Sequence, residues 1–109
     1  MTNYAKGRRA EWAVRDLLQE SGAIVVRSAG SKSPADLVAM FPHRTYAIQV
    51  KTYKPTLGDS KKCDNASLDT QAVWVMVHYE GGGVRYCEAW KNGRPYRILP
   101  PGLQEAKSA

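Results

Sequence analysis

Asp36, Gln49 and Lys51 are the residues whose types and spacing could do chemistry together. Residues 36–40 and 45–52 are apolar-rich runs separated by Phe41-Pro42-His43-Arg44, a spacing that predicts an antiparallel hairpin. If Met40 closes the loop opposite Thr45, Asp36 lies directly opposite Gln49, with Cβ atoms about 5 Å apart on one face. Strand alternation puts Lys51 on the same side, two residues further along, and a one-residue slip would undo the arrangement. Hard cations such as Mg²⁺ take oxygen ligands, usually one or two carboxylates completed by waters and a substrate phosphate. Asp36, the Gln49 side-chain oxygen and the Val50 backbone carbonyl are candidate donors for Mg²⁺, with Mn²⁺ as a substitute. A lysine beside such an ion can orient or deprotonate an attacking water, or stabilise charge developing on a phosphate, and Lys51 suits that role. Glu11 is the candidate second carboxylate, because a helical wheel sets it beside Leu18 at the margin of an apolar stripe. The plainer alternative is that Glu11 pairs with Arg15 one turn on, worth a few tenths of a kcal/mol.

The elements that must position these residues follow from periodicity and turn chemistry. Ala10, Ala13, Val14, Leu17 and Leu18 recur at helical spacing, so a helix is expected over residues 4–21, capped by Thr2 or Asn3 and stopped by Gly22. The β-branched run Ile24-Val25-Val26 predicts a strand over residues 23–28, and residues 29–34 read as a loop. Residues 54–71 are polar and carry Pro55, Gly58, Asp59, Asp64 and Asn65, which leaves a loop or a short crossover helix open. Residues 72–79 and 84–90 flank three glycines, and Asn92-Gly93 marks a tight type I′ turn before a strand over 96–99. The expected architecture is α/β, a mixed central sheet flanked by the N-terminal helix. One domain spans 1–109, with helix and hairpin in 1–53, a connector in 54–71, and strands and a tail in 72–109.

At 109 residues the chain can build one modest core. Sixteen Lys and Arg against ten acidic residues leave a net charge of +6, which points first to a polyphosphate partner. No apolar run approaches the ~18 residues of a spanning helix, and no secretory leader is visible, so the expectation is a cytoplasmic protein without membrane contact. Cys63 and Cys87 lack any metal or redox spacing and read as buried thiols. Lys6, Arg8, Arg9 and Arg15 form a basic helical end, and Gly30-Ser31-Lys32 with Ser28 and Arg27 offers donors suited to phosphate oxygens. Either group could instead be a solvated surface or a connector.

Tyr4-Ala5-Lys6-Gly7-Arg8-Arg9-Ala10-Glu11, Val25-Val26-Arg27-Ser28-Ala29-Gly30-Ser31-Lys32, Pro34-Ala35-Asp36-Leu37 and Ile48-Gln49-Val50-Lys51 together resemble the opening half of archaeal and phage Holliday junction resolvases of the Hjc type. The resemblance implies a restriction-endonuclease-like PD-(D/E)XK core and a homodimer that resolves four-way DNA junctions by paired nicks. Carried over position by position, it implies an acidic metal site at Glu11, Asp36 and position 49, with Lys51 as the catalytic lysine. Arg27 and Ser31 would meet the scissile phosphate. Lys6, Arg8, Arg9, Ser28, Gly30 and Lys32 would serve DNA binding.

Two departures stand out. Position 49 is Gln where these resolvases usually carry Glu, which removes a negative charge. The site is then either a working QXK variant or a disabled one on a junction-binding protein. Residues 54–71 also look too short and too polar for the family's full second helix. A nuclease of the same fold acting on other branched or duplex DNA is a further reading, and a basic chromatin-like protein a more distant one. Trp12 points away from the apolar stripe, which suits an interface with a second subunit or DNA, whereas Trp74 and Trp90 read as core or interface. His43 and His78 are isolated and receive no role.

Overall fold

The computed structural model describes residues 3–28 and 35–104. Its elements are α1 (Asn3–Glu20), β1 (Ile24–Arg27), β2 (Leu37–Phe41), β3 (Arg44–Lys51), α2 (Leu57–Asp69), β4 (Val73–Glu80), β5 (Gly83–Lys91) and β6 (Arg94–Tyr96). The strands form one sheet in chain order, antiparallel throughout except for the parallel pair β3–β4. A parallel pair needs a long crossover, and α2 lies within it. The α/β class with a mixed central sheet is therefore what forms.

α1 follows its apolar spacing. Ala10, Val14 and Leu18 are buried on one face, and Val14 and Leu18 join the core cluster with Leu37, Ala39, Tyr46, Ile48 and Val75 of the sheet. The helix ends where Gly22, at φ 103°, donates to Gln19 O at 3.0 Å while Ala23 donates to Leu18 O at 3.1 Å, a Schellman arrangement. Thr2, one of the two cap candidates, lies outside the described residues, and Asn3 is already helical.

β2 and β3 pair in the register that sequence implies. Met40 faces Thr45 and Leu37 faces Ile48, but pairing continues to Phe41 and Arg44, so the turn is Pro42-His43 alone. β4 is enclosed between the two helical layers, which is why Val73, Trp74, Val75, Met76 and Val77 form an unbroken buried run.

Of the two alternatives for 54–71, a loop or a short crossover helix, the structure forms the helix, 13 residues long. Polarity misleads here because α2 starts on a capping box: Thr56 Oγ1 accepts the Asp59 N–H at 3.2 Å, and Asp59 Oδ2 accepts the Thr56 N–H at 2.9 Å. Only a narrow face is buried. Cys63 and Ser67, with Ala66, pack on Ala47, Trp74, Met76 and Trp90 on the opposite side of the sheet from α1. Ser67 Oγ donates to Asp64 O at 2.6 Å and accepts the Gly93 N–H at 2.9 Å, tying α2 to the β5–β6 turn.

That turn has Asn92 at φ 55° and Gly93 at φ 75°, as a type I′ turn requires. A two-residue turn forces pairing to resume at once, so β6 begins at Arg94 and ends at Tyr96, not over 96–99. Pro95 is tolerated because β6 is an edge strand. Beyond it, Leu99 and Leu103 are buried in the core that α1 covers, while residues 105–109 of the expected tail lie outside the described residues.

Candidate active site

The end of the β2–β3 hairpin remote from its turn gathers Asp36, Gln49 and Lys51. Asp36 is anchored there by its backbone: its N–H donates to Ile48 O at 2.8 Å, and its carbonyl accepts the Ser28 N–H at 2.9 Å. Its carboxylate oxygen Oδ2 accepts the Val50 N–H at 2.8 Å. Partial burial pushes the Asp36 carboxyl above the ordinary carboxylate range, against the opposing pull of the Val50 N–H and the charges of Lys51 and Arg27.

Glu11 reaches the same place from α1. Its Oε1 accepts from Arg27 Nε at 3.0 Å, and the i+4 partner considered for it, Arg15, bonds Asp16 instead at 3.0 Å. Burial first, then the charge of Asp36, raise the Glu11 carboxyl, while Arg27 and Arg8 pull it down. The cationic charges of Arg27 and Arg8 offset part of the repulsion that Asp36 exerts on Glu11.

Gln49 is half-buried and faces α2, its Oε1 standing 3.7 Å from Cys63 Sγ, a weak donor. Lys51 Nζ lies 3.7 Å from Asp59 Oδ1 and 5.5 Å from the centre of the Tyr53 ring. Burial pulls the Lys51 ammonium down, but the bond to Tyr53 and the charges of Asp59, Tyr53 and Asp36 outweigh it, and the group ends above the usual lysine range. The amine is cationic at neutral pH.

The basic residues divide. Arg8 and Arg27 act on Glu11, with Arg8 also 6.0 Å from the centre of the half-exposed Trp12 ring. Lys6 and Arg9 line a shallow cleft with Thr52, Tyr79 and Glu80 at the C-terminal ends of β3 and β4. Cationic charge from Arg8 and Arg27 thus borders the carboxylates, while the charge of Lys6 acts on Glu80 in the cleft. Ser28 supports Asp36 through its backbone. Gly30, Ser31 and Lys32, assigned to DNA and the scissile phosphate, lie outside the described residues. Trp74 and Trp90 are core residues, and His78 Nε2 pairs with Glu80 Oε1 at 2.9 Å.

Among the described residues no three His, Cys, Asp or Glu side chains stand together as a ligand set. With an amide at position 49, the donor set expected from the sequence holds two carboxylates, Glu11 and Asp36, and two neutral groups, the Gln49 amide and the Val50 carbonyl. Asp59 is the site neighbour that sequence reading missed. The Thr56-x-x-Asp59 spacing could have revealed the cap, but nothing local connects it to Lys51.

A family model described as archaeal Holliday junction resolvase (Hjc) matches residues 2–107. The chain belongs to this family. Among solved structures, Hjc from Archaeoglobus fulgidus, a Holliday junction resolvase from an archaeal hyperthermophile, shares the fold at a TM-score of 0.59. Identity is 20%, over 80% of this chain and 73% of that one. No curated protein matches. The Hjc family carries the junction-resolving nuclease role that the opening half of the sequence suggested, and the shared architecture is restriction-endonuclease-like. No helix is long and apolar enough to cross a membrane among the described residues.

Proposed function

We propose that this Hjc-family chain is a divalent-metal-dependent nuclease that cuts four-way DNA junctions by paired nicks as a homodimer. The observation that supports it most directly is that Asp36, just before β2, acts on Glu11 of α1 and on a cationic Lys51 at the end of β3. Oxygen donors at Glu11, Asp36, Gln49 and the Val50 carbonyl fit Mg²⁺ or Mn²⁺, because a hard cation takes carboxylate, amide and carbonyl oxygens. Both carboxyls are raised by burial, and Glu11 also by the charge of Asp36, so both gain from a cation held beside them. When bound, such an ion supplies Lewis-acid polarisation of the phosphate and a more acidic water.

The chain's own groups do the rest. Val50 N–H fixes the Asp36 carboxylate, and Arg27 fixes that of Glu11. Lys51, protonated at neutral pH, has no lone pair to accept a proton, so its part is to offset charge on the phosphate oxygens and hand a proton to the leaving oxygen. Arg8 and Arg27 stand where they would balance the phosphate once it lies over the carboxylates. With base edges unread by any obvious recognition helix, selection of a junction would rest on backbone spacing and shape.

A second reading follows from Gln49: a junction-binding protein whose metal site is too weakly charged to cut. The deciding experiment is cleavage of an immobile four-way junction beside linear duplex of the same sequence, with Mg²⁺, Mn²⁺ or EDTA, for this chain and for Gln49→Glu. Metal-dependent, symmetric nicks in the junction alone support the nuclease reading. Tight junction binding without cleavage by the native chain, with cleavage gained on Gln49→Glu, moves the conclusion to the binding protein.

A further inference from the structure

Lys51 is reached from α2 as well as from its own hairpin. The Lys51 and Asp59 side chains are only 19% and 14% exposed where they meet at 3.7 Å. The Asp59 carboxylate cannot swing freely, because its second oxygen accepts the Thr56 backbone N–H at 2.9 Å, a bond that does not need the Thr56 side chain. The carboxylate is clamped at the first turn of α2 with one oxygen turned to the lysine. On the other side of Lys51, position 49 is a neutral amide directed at Cys63 of the same helix. A glutamate there would have stood two residues from Lys51 on the same face of β3; among the described residues, the carboxylates that act most on Lys51 are Asp59 and Asp36.

We propose that Asp59 is a positioning residue for Lys51: from α2 it supplies the negative charge that position 49 lacks, and it holds the ammonium at the reacting end of the hairpin. The chain thereby keeps a counter-charge for its lysine while its metal-facing position is neutral. The inference rests on the reading of Lys51 as a catalytic group. The tie itself does not.

The test compares the native chain with Asp59→Asn, Thr56→Ala, Gln49→Glu and the Asp59→Asn/Gln49→Glu double variant. Asn retains an oxygen for the Thr56 N–H and removes only charge, whereas Thr56→Ala weakens the helix start and keeps Asp59. Three quantities are read: the single-turnover cleavage rate of a four-way junction, its Kd, and acetylation of Lys51 by acetic anhydride without DNA, followed by mass spectrometry. Asp59→Asn should slow cleavage by about tenfold or more, inside the hundredfold that an ångström of misplacement costs. Kd should hold within about twofold, since the lysine acts on the reacting phosphate and contributes little to overall affinity, and Lys51 acetylation should rise. Thr56→Ala should change neither rate nor labelling. In the Gln49→Glu background the Asp59→Asn penalty should shrink to about twofold, the signature of two groups serving one role.

A native rate for Asp59→Asn overturns the proposal. So does an equal loss from Thr56→Ala, which marks a structural effect, or an undiminished penalty beside Glu at position 49. If the native chain itself does not cut, the nuclease reading fails. Labelling then still decides the tie, with unchanged Lys51 acetylation in Asp59→Asn refuting it and increased acetylation supporting it.

Discussion

Asp36 should separate stability from activity when it is replaced in two ways. Its Oδ2 accepts the half-buried Val50 N–H at 2.8 Å, so Asp36→Ala leaves that donor without its partner. A stranded buried donor costs about 1–3 kcal/mol. For a chain of this length each kcal/mol lowers Tm by roughly 4–8 °C, which places Asp36→Ala at least several degrees below the native chain. Asp36→Asn keeps an oxygen for Val50 and removes a partly buried charge. The folded-state carboxyl is raised above its ordinary 3.8, so its ionised form costs stability at neutral pH, and that cost vanishes as the pH falls below 3.8. Asp36→Asn should thus be at least as stable as the native chain at pH 7 and lose that advantage in acid. Both variants should cut junctions at least about 100-fold more slowly, since even outer partners of metal ligands cost 10–100-fold. Thermal unfolding by circular dichroism at pH 7 and pH 3.5, beside single-turnover cleavage, reads all of this. Equal Tm values for the Ala and Asn variants would refute the role given to the Val50 bond, and a Asp36→Asn enzyme that cuts normally would remove Asp36 from the site.

Thr56→Ala should cost about 1 kcal/mol, the usual worth of an N-cap side chain, seen as a lower urea midpoint and faster amide exchange in the first turn of α2. Asp59 is held below its ordinary 3.8 by the Thr56 N–H, so its contribution is present at neutral pH and should disappear as pH falls through that depressed value; acid titration of native against Asp59→Asn, whose curves should converge at low pH, checks it. Burial raises the Cys63 thiol to about 11, so it should resist iodoacetamide at pH 8 in the folded chain and react on unfolding, as timed mass spectrometry would show. Replacing Lys6 or Arg9 by Ala should weaken junction binding and each lower the slope of log Kd against log salt by about 1, measurable by fluorescence anisotropy.

The parts legible in the sequence are those where local rules and tertiary packing agree. The stripe from Ala10 to Leu18 gave α1 its buried face, and the Met40–Thr45 pairing set Asp36 toward Gln49, because alternation and a short turn leave little freedom. The Asn92-Gly93 turn was readable for the same reason, yet β6 was misplaced by two residues. Apolar Ile98 and Leu99 looked like a strand, while the two-residue turn had already committed Arg94 to pairing; the Ile98 carbonyl instead accepts from the buried Tyr46 hydroxyl at 3.1 Å. α2 was half hidden because only Cys63, Ala66 and Ser67 face the core, too few to show a period. Its approach to Lys51 is set by the crossover between β3 and β4, a long-range event with no local trace.

That crossover also orders the assembly of the molecule in time. The β2–β3, β4–β5 and β5–β6 hairpins close over two-residue turns, and such local contacts form early because little chain entropy is lost. The parallel β3–β4 pair must instead wait for the whole stretch containing α2 to loop back, the slowest kind of closure in a chain of this size. Asp36 and Lys51 therefore share a hairpin long before Asp59 arrives. The nascent chain carries its carboxylate and its ammonium early, and the tie between helix and lysine is among the last contacts to be made, so a chain stalled before crossover would hold the groups of its site without the restraint on them.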